Sequence, residues 1–312
     1  MPPKIGYLLP TRERIMGGDH ETGSLLALAE RAEANGFDSV WVGDSLTARP
    51  RHEPFTLLAA VAARTRRVEM GTAVLLPALR NPVILAHSVA TLDRISEGRF
   101  ILGVGVATDV PSIRAEFEAA GVPFEKRAGR MMEGLRLCRA LWSGEPVDWN
   151  GRWKLESATI GPTPHRPGGP PIWLGGKVPA TIERVGKYYD GWFPNAYQPP
   201  EFAEKLAEIR TIARESGRNA DAIGAATYLT LACDNDTARA ERRLDDYLAQ
   251  YYGERPASMR KRQICYAGPA AGAAAWLKSF ADAGATHLVL RFAGDHERNM
   301  DAVAGMRQEL GW

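Results

Sequence analysis

PPIWLGGKVPATIERVGKYYDGWF, residues 170–193, carries a short apolar run that ends in two glycines and a lysine. A stretch with helical spacing follows at once, and a second apolar run opens at Gly191. Strand, glycine turn, helix, strand is the repeating unit of a parallel α/β sheet. Two glycines let the backbone turn sharply or let a ligand come close to it. The helix behind them exposes unpaired N–H groups and the positive end of its dipole, which together attract an anion. A bound phosphate over Gly175, Gly176 and Lys177 satisfies these residues, and so does a plain strand-to-helix turn with a solvated lysine.

The same alternation runs outward in both directions. Upstream, KIGYLLP (4–10) precedes the helical SLLALAERAEANG, for which Gly36 is a C-terminal stop. FDSVWVGD, VEMGTAVLLP and RFILGVGVA follow as strands, separated by the helical FTLLAAVAARTRR and PVILAHSVATLDRIS. After RMMEGLRLCRALWSG the rhythm breaks, and residues 144–170 predict a hairpin plus a Pro/Gly-rich loop before the fifth strand. Downstream come DGWFPNA, a helix from about residue 201, AIGAATYLTLACD, a helix from about 237, then GPAAGAAAWLKSFADAG, THLVLRFAG and a last helix. Eight strands, several apolar nearly throughout, suit a sheet covered on both faces. The spacing therefore predicts an α/β fold, a single (β/α)8 TIM barrel over 1–312 with the insertion at about 144–170. The competing arrangement is an open doubly wound sheet, supported by GVGVAT (103–108), which resembles the start of a dinucleotide fingerprint. Its third glycine is missing, and it follows the fourth strand rather than the first.

Composition narrows the partners. Basic and acidic side chains number 39 and 37, so no electrostatic footprint points to nucleic acid. The apolar runs are strand-sized, too short for a membrane span. Cys138, Cys233 and Cys265 lie far apart and form neither a disulfide framework nor a zinc spacing, which favours a reducing, cytoplasmic setting. Asp19-His20-Glu21 and Asp295-His296-Glu297 are adjacent triplets that do not converge on one ion, and no metal site is expected.

A barrel of this kind carries its site at the C-terminal ends of its strands. That rule selects Asp44 and Ser45, Thr72 to Leu76, Val106 to Asp109, Gly175 to Lys177, Asn195 and Arg291. Around these positions, AERAEANGFDSVWVGDSL, the continuous RRVEMGTAVLLPALRNPVILAHSVATLDRISEGRFILGVGVA, EFEAAGVPFEKRAGRMMEGLRLCRALWSGEPV and PPIWLGGKVPATIERVGKYYDGW occur in order. This set resembles the luciferase-like flavin-dependent oxidoreductases, including those that use the deazaflavin coenzyme F420. The resemblance covers roughly residues 4 to 195, and later mainly GPAAGAAAWLKSFADAGATHLVLRF.

Several expectations rest on that resemblance. It implies reduced F420 or FMN as cofactor, a small organic substrate and a homodimer. The cofactor phosphate would lie on Gly175, Gly176, Lys177 and Val178. Ala73 and Val74 match a place where these enzymes often carry a non-prolyl cis peptide behind the flavin ring, and Thr108 follows the fourth strand at its edge. Asp44 matches an acidic position facing the cofactor, where the alternative is a carboxylate that caps the next segment. Ser45 departs from the pattern, because many relatives carry a catalytic histidine there, and serine does not titrate near neutral pH. Asp109 stands near the place of a catalytic glutamate in the sugar-phosphate branch. It would compensate for that group, or cap the helix that Pro111 begins. The two departures favour reduction of an activated double bond or imine, or oxygen chemistry, over oxidation of sugar phosphates or alcohols. An FMN-dependent monooxygenase proper and a non-catalytic flavin-binding barrel are the alternatives.

Overall fold

In the computed structural model, which describes residues 2–312, eight parallel strands close into a ring. The strands of the chain are β1 (Lys4–Leu8), β2 (Ser39–Val42), β3 (Glu69–Thr72), β4 (Phe100–Val104), β5 (Val147–Asn150), β6 (Lys154–Ala158), β7 (Ile172–Gly175), β8 (Gly191–Phe193), β9 (Gly224–Cys233), β10 (Cys265–Gly268) and β11 (His287–Phe292). The ring runs β1-β2-β3-β4-β7-β8-β9-β11 and closes where Lys4 of β1 pairs with His287 of β11. The open doubly wound alternative is thereby excluded. Strands β5 and β6 form a separate antiparallel pair between β4 and β7.

The sequence reading missed β10. The long β9 pairs with β8 at its start, Gly191 opposite Gly224, and with β10 at its end, Thr230 to Cys233 opposite Cys265 to Gly268. Four residues between a polar loop and a proline carry too little periodicity to announce a strand.

Inside the ring, large and small residues alternate between neighbouring strands. Trp41 of β2 lies opposite Gly71 of β3, and Trp173 of β7 opposite Gly191 of β8. A Cβ on Gly71 would come within 2.3 Å of the Trp41 ring, and one on Gly191 within 2.4 Å of Trp173. The two indoles, 5.6 Å apart, fill the barrel axis together with Phe193, Leu8, Ile101 and Val289. That interior is a packed floor under the C-terminal mouth. Outside the ring, the apolar stripes of the surrounding helices bury a much larger core. Proline stands in the first turn of the helices Pro54–Arg64, Pro82–Ile95, Pro111–Ala119, Pro179–Tyr188 and Pro199–Glu215, where its missing N–H costs nothing. At the opposite end of the barrel, Glu69 of β3 accepts from Lys4 of β1 (2.7 Å) and meets His287 of β11 (3.4 Å).

Candidate active site

Asp44, Ser45, Ala73, Val74, Thr108, Asp109, Gly175, Gly176, Lys177 and Val178, all expected from the sequence, line one cavity of about 620 Å3 at the C-terminal mouth of the ring, whereas the strand-end residues Thr72 and Leu75 do not. Their individual roles differ from the expectations in several places.

β3 ends at Thr72, and the peptide between Ala73 and Val74 is cis, as the resemblance implies. Leu75 then rejoins β4, donating to the Gly103 carbonyl and accepting from Gly105 N–H. Ala73 N–H still donates to the Val42 carbonyl of β2 (2.7 Å), and the strand bulges at Val74, against the cavity. Two glycines make room behind the bulge. A Cβ on Gly103 would come within 1.9 Å of the Thr72 carbonyl oxygen, and one on Gly105 within 2.6 Å of the Val74 side chain. The glycines of GVGVAT thus serve this close approach of two strands and belong to no dinucleotide fingerprint.

Asp44 does not present a free carboxylate. Its side chain is 1% exposed, takes both terminal nitrogens of Arg80 (2.6 and 3.0 Å), and accepts from Leu76 N–H (2.9 Å). It fastens the segment after the bulge to the end of β2.

The Ser45 hydroxyl is also occupied. It donates to Oε1 of Glu116 (2.6 Å) and accepts from Arg49 N–H (2.9 Å). The same Glu116 oxygen accepts from the N–H groups of Leu46, Thr47 and Ala48. Glu116 is fully buried in the helix Pro111–Ala119, and its Oε2 has no partner among the described residues. Sequence reasoning passed over it because a single glutamate inside a helical run carries no signal.

Asp109 stands exposed at the rim, where Arg114 holds it in a two-point ion pair (2.6 and 2.8 Å). Hydrogen bonds from that arginine keep its carboxyl below the ordinary range. The capping alternative is overturned, because Val110 occupies the N-cap of the following helix without a side-chain bond.

At the opening turn, Gly176 adopts φ +130°, which favours glycine, and its carbonyl accepts from Trp192 Nε1 (3.0 Å). Trp192 stacks on Phe202, so the turn is anchored to the next βα unit. Among the described residues, the N–H groups of Lys177, Val178 and Ala180 find no protein acceptor.

The cavity wall is cationic. Its two acids, Asp44 and Asp109, are both paired, whereas Arg49, Arg51, Arg127, Lys177, Arg184 and Arg291 line it without any ion pair among the described residues. Only Lys177 and Arg291 were legible as strand-end residues. The others come from loops and helices, which the barrel rule does not reach. Tyr228, Tyr251 and Tyr252 add hydroxyls, and among the described residues no histidine lines the cavity. His52 lies outside it, bonded to the His20 carbonyl (3.1 Å). Among the described residues no group of acids, histidines and cysteines is arranged to hold a metal.

A family model described as luciferase-like monooxygenase matches residues 3–312. An F420-dependent glucose-6-phosphate dehydrogenase of Mycobacterium avium (strain 104) is 32% identical over 307 residues, which cover 88% of this chain and 89% of that protein. A 5,10-methylenetetrahydromethanopterin reductase of Methanolobus tindarius is 32% identical over 214 residues, covering 68% of this chain but only 62% of the reductase. Among solved structures, an F420-dependent secondary alcohol dehydrogenase in complex with an F420-acetone adduct superposes with a TM-score of 0.83 at 23% identity, covering 98% of both chains. A long-chain alkane monooxygenase superposes with a TM-score of 0.83 at 15% identity, covering 100% of this chain and 92% of the other. At these identities the two superpositions speak to the fold alone.

Proposed function

The chain belongs to the luciferase-like monooxygenase family, and from that premise we propose that it is an oxidoreductase that binds a reduced deazaflavin of the F420 type and acts on a small organic substrate. The observation that carries this reading is the single cavity that joins the Val74 bulge to the turn at Gly175–Val178. Curated relatives at 32% identity, one of them matched over nearly its full length, support the deazaflavin over FMN.

The residues present fit such a group. The unpartnered N–H groups of Lys177, Val178 and Ala180 at a helix start suit a phosphate, with Lys177 and Arg184 as unpaired cations beside them. Side chains added at Gly175 or Gly176 would press on Val74 (3.2 Å) or Thr181 (3.0 Å), so the turn keeps its backbone bare. Val74 offers an apolar face against which a flat ring would pack. When bound, the cofactor supplies two-electron chemistry at that ring.

The chain's own residues then bind and orient. The Asp44–Arg80 pair fixes the segment behind Val74, and Glu116 fixes the loop that carries Arg49. With Ser45 and Asp109 both engaged and no histidine at the wall, the site suits reduction of an activated double bond or imine more than removal of a hydroxyl proton from an alcohol. A homodimer is the assembly we infer: Ile84, His87 and Ile95 are exposed along one face of the helix Pro82–Ile95. The free cysteines favour a reducing cytoplasm.

Titrating the protein separately with F420 and FMN, by cofactor fluorescence, tests the reading. F420 should bind, and Gly176→Val should weaken it by at least tenfold, about 1.4 kcal/mol. Binding of neither cofactor to the folded protein would discard the proposal.

A further inference from the structure

The arginines on the far side of the cavity remain unexplained by a cofactor phosphate at β7. Arg291 leaves the end of β11 and Arg51 lies in the loop after β2, so the two flank β1, which stands across the ring from β7. Arg291 is 1% exposed. Its nitrogens donate only to neutral oxygens: Thr230 Oγ1 (2.7 and 3.2 Å) and the Tyr252 hydroxyl (2.8 Å). Its guanidinium carbon lies 4.9 to 5.4 Å from the ring centres of Tyr228, Tyr251 and Tyr252. Arg51 donates its Nε to the Arg49 carbonyl (3.1 Å), and its guanidinium occupies the space left by Gly43, where a Cβ would come within 1.8 Å of Nη1. Tyr228 and Tyr251 neighbour Arg51 as well. Among the described residues neither arginine has an ion pair, and the nearby Glu13 is engaged by the Tyr247 hydroxyl (2.5 Å).

A buried cation without a counter-ion is costly, and neutral hydroxyls with aromatic faces offset only part of that cost. Two guanidinium groups beside phenol donors match the planar, two-oxygen face of a carboxylate or phosphate. Burial pushes the Tyr228 hydroxyl well up, so it stays a proton donor at neutral pH.

We propose that Arg51 and Arg291, with Tyr228, Tyr251 and Tyr252, form an oxyanion subsite, and that the substrate is an acid whose carboxylate or phosphate is held there. What the acid undergoes rests on the flavin reading above, but its binding does not.

Calorimetric titration with benzoate, phenyl phosphate and neutral benzamide tests this, using the protein alone and the protein loaded with F420. At least one of the two anions should bind about tenfold or more tightly than benzamide, with or without the cofactor, and the tighter one identifies the acid group. Arg51→Gln should weaken that anion by at least tenfold, whereas Gly176→Val should leave benzoate binding unchanged. Should Arg291→Gln fail to fold, Arg51→Gln decides alone, because Arg51 is half-buried in a loop outside the barrel ladder. Equal binding of benzoate, phenyl phosphate and benzamide, or an Arg51→Gln protein that binds as the parent does, would overturn the subsite. Loss of all flavin binding with the Arg51-dependent anion binding intact would discard the cofactor reading and leave the subsite standing.

Discussion

Glu116 shows how one buried oxygen can hold a loop. Oε1 gathers the Ser45 hydroxyl and three successive backbone N–H groups, so residues 45–48 wrap around a carboxylate supplied by another βα unit. Removing the carboxylate leaves four donors, the buried Ser45 hydroxyl and three part-buried N–H groups, to find new partners. Glu116→Ala should therefore cost about 2–4 kcal/mol of stability in urea unfolding. Glu116→Gln, which keeps an acceptor oxygen, should cost less. Position was legible at this scale and role was not. Strand-end logic located Asp44 and Ser45 from the sequence, but nothing local foretold that Arg80 and Glu116, 36 and 71 residues away, would engage them. A residue's partner is a property of the closed ring, and one-dimensional spacing does not encode it.

The β3 bulge and the glycines of β4 form a single device. Val74 packs on the space that Gly105 leaves open, so Gly105→Ala should push a methyl into the Val74 side chain and displace the bulge. A loss of about 1–3 kcal/mol in stability is expected from the overpacking, with weaker F420 binding in fluorescence titration. At the other end of the barrel, burial alone would raise the Glu69 carboxyl, but hydrogen bonds from His287 and Lys4 hold it at about 2, against an ordinary 4.5. Because the folded value is the lower one, the carboxylate's contribution is complete above pH 4.5 and drains away as pH falls toward 2. Acid unfolding followed by circular dichroism should show this, and Glu69→Gln should flatten the slope in that window. Helices and apolar strands were readable because their period repeats over many residues. β10 escaped because four residues contain no period, and the cis peptide at Ala73–Val74 was reached through the resemblance rather than through any period.

The formal charge of +2 on the whole molecule conceals a lopsided interior. With both acids of the cavity paired, the unpaired cations of its wall set the local field, and low-dielectric walls concentrate it. The association rate of an anionic cofactor should accordingly fall several-fold between about 0.01 and 0.15 M salt, measured by stopped-flow fluorescence, while dissociation changes little. The ring also has a consequence in time. β1 is complete by residue 8, yet the partner on its outer edge, β11, begins at residue 287. During synthesis at roughly 5–20 residues per second, that edge waits about 14–56 seconds with its N–H and C=O groups unpaired. The growing chain can assemble successive βα units as they leave the ribosome, but the first strand stays open to wrong neighbours until the last one arrives.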